Sequence, residues 1–242
     1  MVRVVSLDEY RVMQRPELFW MIPRVLPKPA VITLLGEPKA GKSFLALQLA
    51  MEIAKGGSFL GQPCRQGKVL YVQLDTSELV WRDRLNHLKA AHIELPPNVQ
   101  MIHPEDNPTF CNIILPEHQR TFRDAQAQCE PDVVVIDVLR EIHSMDEQDS
   151  TQMKIVGDIL MEVFAGRTLI ILHHMPKTEE LVVPKVINAA RGSSYISGKS
   201  DAIWMLHNGF LYVESRFDGA SKYQANRLTY GMWSLVKQRE RG

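Results

Sequence analysis

The stretch Gly36-Glu37-Pro38-Lys39-Ala40-Gly41-Lys42-Ser43 follows the apolar run Val31–Leu35 and opens a helix-patterned segment. Gly-x4-Gly-Lys-Ser between a strand and a helix is the spacing of a phosphate-binding loop. Gly36 and Gly41 let the backbone curl so that successive N–H groups point inward at phosphate oxygens, and the following helix adds its positive end. Lys42 reaches the β- and γ-phosphates of a nucleoside triphosphate, and Ser43 offers a hydroxyl to Mg²⁺. The nucleotide-binding set read from this stretch is Gly36, Glu37, Pro38, Lys39, Ala40, Gly41, Lys42, Ser43 and Phe44.

Outward from the loop, Phe44, Leu47, Met51 and Ala54 recur at helical spacing, and Lys55-Gly56-Gly57 closes that helix. Val69–Val72 reads as a second strand, ending in Gln73-Leu74-Asp75, with a helix through Trp81, Leu85 and Leu88 behind it. Val99–Ile102 is a weaker strand and Glu117–Gln128 a polar helix. Val133–Ile136 is a β-branched run ending in Asp137, as in a strand buried on both faces. A helix over about Ser150–Phe164 leads to another buried strand, Thr168–Leu172, which ends in His173-His174. From Asp201 the pattern changes to short strands at Ile203–Leu206, Phe210–Val213, Leu228–Tyr230 and Trp233–Val236, separated by Asn208-Gly209, Asp218-Gly219 and Gly231. The expected fold is therefore α/β: a mainly parallel central sheet flanked by helices, with antiparallel hairpins added at the C-terminal end. Residues 1–29, with four prolines and the cluster Leu18–Ile22, read as an arm that packs on its own domain or on a neighbour, and residues 30–242 as one nucleotide-binding domain.

Composition narrows the function. Lys plus Arg and Asp plus Glu are both 28, so the chain lacks the overall basic field of many nucleic-acid binders. The three cysteines show no Cys-x-x-Cys or Cys/His metal spacing and read as reduced thiols, which points to the cytoplasm. No apolar run approaches the length of a membrane span, so no membrane partner is expected.

Several residues then stand out as chemical candidates. Asp137, at the end of its apolar strand, is placed to hold Mg²⁺ beside Ser43, or to cap the strand end. Asp75 lies where an attacking water would be oriented; Glu78, three residues on, competes, although a helix start favours an acid there anyway. One of His173 and His174 should face the γ-phosphate and the other should point away, because side chains alternate along a strand. Arg191 is either a guanidinium for the phosphoryl-transfer transition state or a solvated surface arginine. Lys177 and Lys185 are the cations of a weak nucleic-acid signal, since Glu179 and Glu180 nearly cancel them.

In sequence order, Trp20–Pro27, Gly36–Ala50, Val69–Asp75, Val133–His143, Ile171–Lys177 and Ala190–Ser194 together resemble the RecA-like ATPase superfamily, most closely the hexameric replicative helicase ATPases of the plasmid RepA type. That resemblance implies an ATP- and Mg²⁺-dependent ring, with a hexamer expected, that translocates on single-stranded DNA in replication. It implies that Asp137 supports the metal and that His173 or His174 senses γ-phosphate. Arg191 would complete a neighbour's site as an arginine finger, and the segment from Met175 to Ala189 would face DNA. Two positions depart from the family. Asp75 stands where glutamate is usual, and Val138 replaces a hydroxyl residue. The neutral charge, Asp75 and the N-terminal arm favour a second reading, an ATP-dependent switch or recombination-accessory ATPase that controls a protein partner with slow hydrolysis.

Overall fold

The computed structural model describes residues 3–13, 19–103, 112–175 and 198–238. Its frame is a nine-stranded mixed sheet in the order β13-β12-β11-β10-β3-β9-β8-β6-β7. The strands are β3 (Ala30–Gly36), β6 (Val69–Gln73), β7 (Val99–Ile102), β8 (Val133–Asp137), β9 (Thr168–His174), β10 (Ala202–His207), β11 (Phe210–Ser215), β12 (Gly219–Arg227) and β13 (Trp233–Lys237). From β10 through β3, β9, β8 and β6 to β7 every pairing is parallel. The last three strands extend the other edge as antiparallel hairpins.

The β-branched and leucine-rich runs are continuous because both faces of the parallel region are covered. Ile32, Leu34, Val69, Tyr71, Val133, Val135, Ile170 and Leu172 share one core with the helices α2 (Lys42–Lys55) and α3 (Glu78–Ala90). The alternate residues Leu70, Val72, Val134, Ile136, Leu169 and Ile171 share the other with α4 (Pro116–Cys129) and α5 (Ser150–Val163). This period of two fixes which strand-end side chains emerge on which face, and so arranges the site described below.

Before the sheet lie a short exposed helix, α1 (Leu7–Val12), and a hairpin of β1 (Phe19–Ile22) with β2 (Leu26–Lys28). Met21, Ile22 and Leu26 from that hairpin are packed into the core shared with α2. A two-residue pair, β4 (Ser58–Phe59) with β5 (Gln62–Pro63), follows α2.

One expected element is corrected. Leu228–Tyr230 is not a strand: Thr229–Gly231 forms a 3-10 turn in which Tyr230 has φ +66°, and the strand lies earlier, at β12. Most of β12 is polar and exposed, and only Tyr223 and Ala225 turn inward, so its sequence carries little alternation of hydrophobicity.

Candidate functional site

The loop after β3 delivers the chain to α2 through Gly41, whose φ of +96° is a left-handed conformation that glycine adopts without strain. A Cβ on Gly41 would also stand 2.6 Å from the indole of Trp233. No side chain caps α2 and no acid lies in its first turn, so the first backbone N–H groups are left for another acceptor.

Lys42 is buried, with Nζ donating to the carbonyls of Gly36 (2.9 Å) and Glu37 (3.0 Å) and lying 3.0 Å from His174 Nδ1. Burial lowers its pKa to about 8, against the opposing pull of Asp137 and Asp75. An ammonium donates, so His174 Nδ1 is the acceptor and its ring is neutral. Burial first, then Lys42, holds the His174 pKa below the ordinary value.

Ser43 Oγ donates to Asp137 Oδ1 at 3.2 Å, and the hydroxyl of the fully buried Tyr71 donates to Asp137 Oδ2 at 2.7 Å. Burial pushes the Asp137 carboxyl above its usual range, and these two hydrogen bonds pull it back toward the ionised form. A hydroxyl and a carboxylate side by side are hard oxygen donors that fit Mg²⁺, which takes one or two protein oxygens and completes its shell with water and phosphate. Among the described residues no group of three or more His, Cys, Asp or Glu side chains forms an all-protein cage.

Asp75, past the end of β6, and His174 face one cavity of about 310 Å³ together with Lys42 and Ser43. Arg84 and Arg227 line its far wall, each with its guanidinium carbon 4.8 Å from the ring centre of Phe44. One guanidinium nitrogen of Arg84 is buried with no hydrogen-bond partner among the described residues. Sequence reasoning missed Tyr71, Arg84, Arg227 and Trp233. They come from separate elements, and only the position of Arg84 on the helix after β6 carried a local signal.

The alternation along β9 separates the two histidines: His174 follows Leu172 onto the α2 face, whereas His173 follows Ile171 onto the opposite face, 3.7 Å from Glu147. Glu78 is ion-paired with Arg82 and lines a different cavity with Trp81 and His103. Arg191, Lys177 and Lys185 lie outside the described residues. Among the described residues no helix is long and apolar enough to cross a membrane.

A family model described as an AAA domain matches residues 2–180. The chain belongs to that family. Among solved structures, a KaiC-like protein from the hyperthermophilic archaeon Pyrococcus horikoshii OT3 is similar over 90% of this chain and 94% of its own, at 14% identity and a TM-score of 0.57. The flagellar accessory protein FlaH from Methanocaldococcus jannaschii aligns over 88% of this chain and 91% of its own, at 14% identity and a TM-score of 0.48. At 14% identity the first likeness is one of fold. The fold is thus a RecA-like, AAA-type P-loop NTPase fold, and the finer resemblance to replicative helicases rests on the sequence segments alone.

Proposed function

We propose that the chain binds ATP with Mg²⁺, hydrolyses it slowly, and uses the cycle to switch the docking of a protein partner, working as an assembly of its own copies. The observation that carries this reading is the single cavity into which Lys42, Ser43, Asp75 and His174 converge. Residues Gly36 to Phe44 cradle the triphosphate, and Lys42 exchanges the Gly36 and Glu37 carbonyls for phosphate oxygens. Ser43 and Asp137 hold the metal, which when bound neutralises charge on the β- and γ-phosphates. Asp75 orients the attacking water, His174 reads the γ-phosphate, and Arg191 of a neighbouring copy meets the transferred group.

Slow turnover follows from Asp75. An aspartate carboxylate is one methylene shorter than a glutamate's, a withdrawal of about 1.5 Å, and a misplacement near 1 Å can cost on the order of 10²-fold in rate. Asp75→Glu is therefore expected to raise kcat for ATP hydrolysis by about tenfold or more. A variant slower than the parent would remove Asp75 from the water-orienting role.

The order of Ile171–Lys177 and Ala190–Ser194 favours a second reading, a hexameric replicative helicase translocating on single-stranded DNA, with Lys177 and Lys185 facing the strand. In that case single-stranded DNA accelerates ATP hydrolysis severalfold. The balanced charge supports the switch, for which DNA leaves the rate unchanged.

A further inference from the structure

On the sheet face opposite the P-loop, three polar side chains converge that the nucleotide reading does not use. His143 follows the 3-10 turn Leu139–Ile142 beyond Asp137, and its side chain is fully buried. Its Nδ1 accepts the backbone N–H of Met145 at 3.2 Å, so the neutral ring carries its proton on Nε2. That Nε2 lies 3.9 Å from Glu147 Oε1, and His173 Nδ1 lies 3.7 Å from the same oxygen. Among the described residues neither Glu147 Oε1 nor His143 Nε2 has another hydrogen-bond partner. A carboxylate can only accept, so a hydrogen bond to it would require the proton of His173 on Nδ1.

Burial favours the neutral form of both rings. Burial lowers the pKa of His173, with Lys42 acting the same way. Burial also lowers that of His143, with Arg140 and His173 adding to it and Glu147 opposing. The separations exceed hydrogen-bond length by roughly 0.8 Å, and a buried donor or acceptor left unpaired is costly. His173 shares a peptide bond with His174, which sits 3.0 Å from Lys42 on the other face.

We propose that Glu147 is a positioning residue for the nucleotide-facing end of β9: its carboxylate takes the Nδ1–H of His173 and the Nε2–H of His143, and by fixing His173 it holds His174 at Lys42. The task of His174 rests on the ATPase reading above, whereas the geometry of the three side chains does not. Loss of the anchor lets the end of β9 shift, which misplaces His174 without touching the loop that binds phosphate.

The test pairs histidine ¹⁵N NMR of the full chain with steady-state ATP hydrolysis, in the parent and in Glu147→Gln, which keeps size and removes charge. The parent is expected to show His173 protonated at Nδ1 and His143 at Nε2. Glu147→Gln is expected to shift the His174 resonances and lower kcat by about tenfold, with KM within about twofold and the thermal midpoint within about 3 °C. Glu147→Asp, which keeps the charge, is expected to recover part of kcat. His173 protonated at Nε2 in the parent would overturn the proposal, as would an unchanged kcat or a kcat loss that tracks a falling thermal midpoint. A parent without ATPase activity would instead overturn the function reading, and the tautomers and the His174 shift would still decide this one.

Discussion

Lys42 is held in a costly electrostatic state that a nearby anion would relieve. Its ammonium is buried against two carbonyls and a neutral imidazole, and its pKa is lowered to about 8. A base whose folded pKa lies below its unfolded value destabilises the fold while it is charged, and that loss is fully present below about 8 and vanishes above the unfolded value near 10.5. Phosphate oxygens favour the charged form and raise the pKa again, so ATP binding between pH 8 and 9 should draw in a proton and affinity should fall as pH rises. Calorimetric titration in buffers of different ionisation enthalpy measures that proton. The expected result is uptake of up to one proton by the parent and none from this site in Lys42→Arg. At this scale much was legible in sequence, because Lys42, Ser43 and Asp137 belong to motifs with a fixed local spacing. Tyr71 was not: it reads as one more apolar strand residue, and only the register of β6 on β8 brings its hydroxyl to Asp137.

Among the elements, the turn between β12 and β13 clasps α2, the helix that follows the glycine loop. Gln48 of α2 exchanges two hydrogen bonds with the backbone of Trp233, at 3.0 and 2.7 Å. Trp233 packs on Gly41, and Gly231, at φ +81°, lies so close that an added Cβ would stand 2.4 Å from the Phe44 ring. Gly231→Ala is expected to destabilise the fold by more than about 1 kcal/mol through both backbone strain and collision. Phe44→Ala removes the collision but not the strain, so the double variant should recover only part of the loss, a coupling that a thermodynamic cycle in denaturant measures. The parallel strands were legible because burial on both faces writes long β-branched runs such as Val133–Ile136. The clasp was not, since β12 alternates among polar residues and its partners on α2 lie far away in sequence.

For the whole molecule, the proposed cycle would need one catalytic group from a neighbouring copy. If Arg191 acts across the contact, Arg191→Ala and Lys42→Met are each inactive alone, yet mixed assemblies contain sites with an intact Lys42 facing an intact Arg191. Mixing the two variants should therefore restore ATP hydrolysis to a fraction of the parent rate, read by phosphate release across mixing ratios. A mixture as inactive as its components would place the finger elsewhere. The fold around this site is one that many activities share, so the task must be read from the site itself.

The central claim is that the pocket lined by Lys42 and Ser43, with Asp137 behind Ser43, takes a magnesium-bound triphosphate. Its most direct test is calorimetric titration of ATP into the parent and Asp137→Asn, each with Mg²⁺ and with a chelator. The account predicts one site per chain in the parent with affinity at least about tenfold higher in Mg²⁺, and an Asp137→Asn variant that still binds but has lost that dependence. A parent that binds no ATP, or binds it equally with and without Mg²⁺, would contradict it.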